Sequence, residues 1–176
     1  MGSFKSLAGT FDNGGLYFKP HEGENRIRIV SEPVPIWTYF DQDNNKGVNF
    51  LTEDAAKAFA KTLPSGKKVS QRYAMYVLNR DSKNEVQVAQ FGPQVMKELV
   101  SLATSSEYGF DSVPEYDVFI VKKGTGLDTE YTVRPARTNT PLTVEEFEEV
   151  QKAENLVDVL KKNAEDADQV PPEALR

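Results

Sequence analysis

Apolar and polar residues alternate along several short stretches of this chain, and a period of two marks a half-buried strand. NRIRIV at 25–30 is the cleanest case, with Ile27 and Ile29 on one face and Arg26 and Arg28 on the other. It reads as a strand with its arginines outside, ended by Pro33 and Pro35. LYFKP at 16–20 reads as a short strand before it, and HEGE at 21–24 as a turn. IWTYF at 36–40 reads as a strand running into a DQDNNKG turn. RYAMYVLNR at 72–80 and EVQVAQF at 85–91 read as a pair joined by a turn at 81–84. At 116–135, YDVFIVKKGTGLDTEYTVRP places β-branched and aromatic residues on both sides of a Gly-containing turn, which predicts a hairpin.

Helical spacing appears in three places. Thr52 caps a helix to about Leu63, with Ala56, Phe59, Ala60 and Leu63 as its apolar face and Pro64-Ser65-Gly66 as its stop. Pro93 opens a second, at a position where its missing N–H costs nothing, lined by Val95, Met96, Leu99, Leu102 and Ala103. Thr143-Val144-Glu145-Glu146 fits a capping box. It predicts a third helix to about Lys162, with Val144, Phe147, Val150, Leu156, Val157 and Leu160 near one face. The Gly-rich stretch 1–15 reads as a loose arm, and 163–176 as an acidic, frayed end.

This order is mainly β. Short strands with a helix ahead of the last two suggest an OB-fold, a small five- or six-stranded barrel with inserted helices and a C-terminal helix. An SH3-like barrel or another α+β sheet is the alternative. There is no internal repeat. The composition changes at TNTPLT, which predicts a core over 1–138 and an acidic helical segment over 139–176.

Charge sharpens that division. The net charge is −6. Residues 1–138 hold 17 Lys/Arg and 17 Asp/Glu, whereas 139–176 hold 4 and 10, so the whole acidic excess is C-terminal. The neutral body is able to gather its cations on one face. No apolar run approaches the roughly 20 residues of a membrane span, and the N-terminus lacks an apolar signal region. With no cysteine, disulfides and thiolate metal sites are excluded. A cytoplasmic protein without membrane contact is expected.

Enzyme chemistry finds little to work with. His21 is the one histidine and sits in a Gly-flanked turn, where a solvated residue is the plainer reading than a hydrolase base. Asp41, Asp43 and Asn45 have the opening spacing of a calcium loop, but its sixth and twelfth positions hold Lys46 and Thr52 where Gly and Glu belong. A hydrated turn accounts for them. Gly124-Thr125-Gly126 lacks the remaining elements of a dinucleotide or phosphate loop and reads as a hairpin turn. The expectation is no enzyme, no metal and no cofactor.

A distributed pattern carries more. Single-stranded nucleic acid is held by a positive groove and by aromatic faces on which bases stack. The basic candidates are Arg26, Arg28, Lys67, Lys68, Arg72, Arg80, Lys122, Lys123, Arg134 and Arg137. The aromatic candidates are Trp37, Tyr39, Tyr73, Tyr76, Phe91 and Tyr131. Most fall on strands or at strand ends. Trp37 and Tyr39 share parity and so one face.

Four stretches, FKPHEGENRIRIV, RYAMYVLNRD, EVQVAQFGPQVMKEL and FIVKKGTGLDTEYTV, resemble the single-stranded DNA-binding proteins of tailed phages, relatives of the T-even helix-destabilising protein. The resemblance spans about 16–150 and is most specific at Gln90–Gly92 with its following helix and at the KKGTGLDTEYTV hairpin. It implies an OB-fold that coats single-stranded DNA in replication, recombination and repair, without catalysis. It also implies that the acidic C-terminus, around Glu165, Asp166 and Asp168, recruits replication and recombination proteins and competes with DNA for the groove. This chain departs from the T-even member in having a helix and no cysteine where that protein holds zinc, so a zinc-free variant is expected. FKSLAGTF has a single lysine where that member has a basic self-association motif. A protein-interaction module acting through the C-terminal helix is the rival reading.

Overall fold

A computed structural model describes residues 17–41, 43, 46–82 and 85–167. The expected arm at 1–15, Leu16, Asn45, part of the 81–84 turn, and Asp168 with the residues after it lie outside these. The strands are β1 (Gly23–Ile29), β2 (Val34–Asp41), β3 (Lys46–Phe50), β4 (Ser70–Asn79), β5 (Glu85–Phe91), β6 (Val118–Lys123) and β7 (Glu130–Pro135). The helices are α1 (Glu53–Ala60), α2 (Pro93–Ala103), α3 (Val144–Lys152) and α4 (Leu156–Ala167). The fold is mainly β, and the strand pairs of known register are antiparallel. Contacts divide the chain into two compact units, one of residues up to Pro33 with Met75–Ala153, the other of Val34–Ala74 with residues from Glu154 on.

In the first unit β5 pairs with β4, β4 with β1, β1 with β6, and β6 with β7. Alternation works as expected on the inner face, where Ile27, Ile29, Val77, Val88, Val118 and Ile120 are buried. Buried Asn25 shares that face and closes the HEGE turn. Its Nδ2 donates to the carbonyls of His21 (2.8 Å) and Ile120 (3.0 Å), and its Oδ1 accepts from the His21 N–H. The stretch expected as a first strand is only a bridge, with Tyr17 beside Val88. The 116–135 hairpin forms as expected. Gly124 has φ +84°, and a Cβ there would lie 2.5 Å from the Asp128 carbonyl oxygen, so the turn requires glycine.

The polar face of this unit departs from expectation. Arg28 is buried and Arg80 nearly so, because the segment after β7 folds over them. Asp117, fully buried, accepts from Arg26 Nε and Arg28 Nε at 2.8 Å and lies 3.3 Å from Arg80 Nε. The Nη2 groups of all three arginines reach the new segment. Arg28 and Arg80 donate to the Thr140 carbonyl, and Arg26 to the Thr138 carbonyl and the Thr140 hydroxyl. Arg80 also pairs with Glu146 at 2.5 Å. Glu146 completes the predicted capping box, since Thr143 Oγ1 accepts from its N–H and its carboxylate accepts from the Thr143 N–H. The start of the acidic segment is thus fastened to the sheet by one ion pair and by hydrogen bonds to Thr138 and Thr140.

Glu146 makes this fastening sensitive to acid. Burial alone would raise its pKa, but the Thr143 N–H and the Arg80 guanidinium outweigh it, and the carboxyl titrates below its ordinary value. A lowered folded-state pKa contributes stability that is complete above the unfolded value near 4.5 and is lost as pH falls through and below it. In thermal melts from pH 7 to pH 3, the stability gap between wild type and Glu146→Gln should be widest at neutral pH and close in acid. A gap independent of pH would contradict this role.

In the second unit β2 lies between β3 and β4. β3 was not expected, since its first residues, Lys46 and Gly47, sit in a stretch with turn composition. Its signal was the alternation of Val48 and Phe50, which register opposite Tyr39 and Trp37. Pro35, expected to end a strand, lies inside β2. There β3 no longer pairs with it, so one edge is open, which is where proline is tolerated. α1 begins as expected, with Thr52 Oγ1 accepting from the Ala55 N–H. It lays Ala56 and Phe59 on Phe50, with Trp37, Tyr39 and Val48 packed around them.

The single helix expected from 143 to 162 is two. Helix α3 ends at Ala153, whose backbone is extended, and Asn155 Oδ1 accepts from the N–H groups of Val157 and Asp158, capping α4. On α4 Leu156 and Leu160 are buried, whereas Val144 and Phe147 on α3 are exposed. α4 continues to Ala167, so the backbone of Glu165 and Asp166 is helical where fraying was expected.

Candidate nucleic-acid interface

A tight turn builds the basic part of the site. The Lys67 N–H donates to the Pro64 carbonyl at 3.1 Å, and Gly66 has φ +88°, the backbone that a type II turn needs at its third position. The turn delivers Lys67 and Lys68, both exposed, to the start of β4. Strand parity supplies the rest. Thr38 registers opposite Ser70 and Ile36 opposite Arg72, so Thr38, Phe40, Ser70 and Arg72 share one face of the β2–β4 pair.

Together they line an open cleft of about 470 Å³, with Tyr39 and Gly66 at its edge. Among the described residues three cations and no acid line it. Lys67 Nζ lies 3.9 Å from Asp43, and the two side chains are 44% and 87% exposed. A pair so solvated contributes little and gives way to a phosphate. The Phe40 ring is 56% exposed and faces solvent in the cleft.

Of the expected site residues, Tyr39, Lys67, Lys68 and Arg72 are brought together here. Trp37 and Tyr73 are not among its lining residues; they project from the opposite face of β2–β4, from which only Tyr39 reaches the cleft. Trp37 packs against the Phe50–Phe59 cluster, and the Tyr39 ring also lies 5.5 Å from that of Phe59. Phe40 was missed, although its parity with Thr38, against Trp37 and Tyr39, was readable.

In the other unit the expected residues are dispersed. Arg28 and Arg80 are occupied by Asp117, which corrects their expected exposure, and Arg26 is occupied at one edge. Phe91 is core, its ring 6.3 Å from that of Phe18. Tyr76 is half-buried, and its backbone N–H donates to Ser31 Oγ. Tyr131 is half-buried opposite Lys122, while Lys123 is exposed opposite Glu130, so the two lysines leave β6 on different faces. Arg137 is exposed.

One row in this unit joins two of these residues to one that was overlooked. Arg26, Phe119 and Arg134 are register neighbours across β1, β6 and β7. Both guanidinium carbons lie over the Phe119 ring, at 5.4 Å and 4.6 Å. Arg134 also pairs with Glu24. The row is basic and aromatic, but its cations already have partners.

Among the described residues no group of His, Asp and Glu side chains could hold a metal ion, and no helix is long and apolar enough to cross a membrane. In the DQDNNKG stretch, Asp41 Oδ1 accepts from the Asp43 N–H at 3.0 Å, a local turn contact. His21 is exposed, with Nδ1 2.9 Å from the Glu22 carbonyl. No protein-family model, curated protein or solved structure matches the chain.

Proposed function

We propose that the protein binds and coats single-stranded DNA, without catalysis, through the cleft of Phe40, Lys67, Lys68 and Arg72. The observation that carries this reading is a cleft that gathers three cations and an exposed aromatic ring. Cations on one wall neutralise successive phosphates, and a solvent-facing ring takes an unpaired base. Duplex DNA hides its base faces, so the ring favours a single strand. The choice of DNA, and a place in phage replication, recombination and repair, rest on the resemblance of the QFG-helix and hairpin stretches. An OB-type fold belongs to the same proposal, supported by α2 standing immediately ahead of the β6–β7 hairpin. So does recruitment of replication proteins by Glu165, Asp166 and Asp168, whose side chains lie outside the described ones. Fluorescence anisotropy of a labelled oligo-dT tests the reading. Binding should saturate, and replacing Lys67 and Lys68 by Ala should weaken it.

A second reading, a protein-interaction module, has its own observation. α3 exposes Val144 (75%) and Phe147 (53%) beside Glu145, Glu148 and Glu149, on a helix held from behind by Glu146. Absence of any oligo-dT binding, with a partner lost on Phe147→Asp, would favour it.

A further inference from the structure

The unit containing α2 has an apolar notch, independent of the cleft and of any DNA binding. It occupies about 170 Å³, and Ile29, Met75, Met96, Leu99, Ala103 and Phe110 supply its apolar walls. A cavity of about 150 Å³ lined by such residues takes up one benzene, so the notch has room for one large apolar side chain. Two methionines let the walls adapt to its shape. Val100, on the rim, is 56% exposed.

We infer that the notch docks a basic segment of a partner protein through one large apolar side chain. The rim selects the charge. Asp111 lines the notch and is exposed, exposed Glu32 lies between the lining residues Ser31 and Pro33, and exposed Glu115 follows the lining residue Pro114. Against these three acids stands Lys97, next to Met96 on α2. An acidic rim around an apolar centre is complementary to Lys or Arg flanking a Phe or Leu, and it repels an acidic segment. The apolar anchor supplies most of the affinity, and the charges supply selection and rate.

The test follows the ε-methyl signals of Met75 and Met96 in the full chain by NMR, with acetylated and amidated KKFKK, KKAKK and EEFEE peptides as probes. KKFKK should shift both methyls saturably. KKAKK should bind at least about tenfold more weakly, because it lacks the anchor, and EEFEE should leave both methyls unmoved. Ala103→Phe should fill the notch and abolish the shifts. If that variant does not fold, Asp111→Lys, at an exposed rim position, should weaken KKFKK about two- to fivefold. Equal binding of KKAKK or EEFEE would overturn the inference. So would toluene binding as tightly as KKFKK, which would make this a small-molecule pocket. Methyl shifts that depend on protein concentration without peptide would instead identify a second copy as the occupant, and would equally overturn it.

Discussion

Replacing Asp117 by Asn should lower the melting temperature by about 6–20 °C. The carboxylate is fully buried and receives Arg26, Arg28 and Arg80. Removing its charge leaves three guanidiniums facing one another around a neutral amide, and breaking a buried pair in this way costs about 3–5 kcal/mol. For a chain of 150–250 residues each kcal/mol is worth about 2–4 °C. The loss should extend to the fastened segment, so amide exchange at Thr143 and Glu146 should accelerate along with unfolding. Asp117→Leu combined with Arg28→Met should recover part of the loss, since apolar replacement of a buried ion pair is often neutral or stabilising. A melting temperature unchanged within about a degree would contradict the network's structural role.

The second large effect separates two aromatic residues only three positions apart. Phe40→Ala should weaken oligo-dT binding roughly 5- to 150-fold, the equivalent of the ~1–3 kcal/mol that one stacked base contributes. Its melting temperature should stay near wild type, because the ring is mostly in solvent. Trp37→Ala should do the reverse. Its ring packs on the Phe50, Ala56 and Phe59 cluster, so truncation should destabilise the protein, at the low end of the ~3–5 kcal/mol for a fully buried aromatic. Any folded fraction should still bind. If Trp37→Ala removes binding without loss of stability while Phe40→Ala is silent, the wrong face of β2 has been assigned.

That contrast shows where sequence reading succeeds and where it stops. Local signals were legible. Thr52 and Thr143 cap helices as their side chains dictate, Pro93 opens α2, and EVQVAQF is β5 with the bounds its alternation marks. Alternation also sorted the two faces of β1, but it cannot say what covers a polar face. Arg28 looked solvent-facing because nothing in NRIRIV announces that Thr140 will return over it, as Glu146 does to Arg80. For β2, parity separated Trp37 and Tyr39 from Phe40, but the covering element, α1, is placed by tertiary packing. The break at Asn155 was a missed local signal, since an Asn ahead of an apolar residue is a cap as readily as a helix interior. In the candidate site, the turn at Gly66 and its two lysines were visible in sequence. Their meeting with Phe40 and Arg72 depends on the β2–β4 register, which composition does not carry.

The salt dependence of oligo-dT binding tests the central claim most directly, because it counts phosphates neutralised by the protein. Lys67, Lys68 and Arg72 supply three cations. At about 0.7 released ions per contact on a single strand, log affinity should fall with log salt at a slope near −2, roughly a 20-fold loss between 50 and 200 mM. Replacing Lys67 and Lys68 by Ala should flatten that slope by about 1.4, while Phe40→Ala lowers affinity at every salt concentration and leaves the slope unchanged. Saturable binding with that slope, flattened by the lysine replacements, is the result the cleft predicts. No binding at 50 mM salt, or binding whose slope is untouched by losing both lysines, would contradict it.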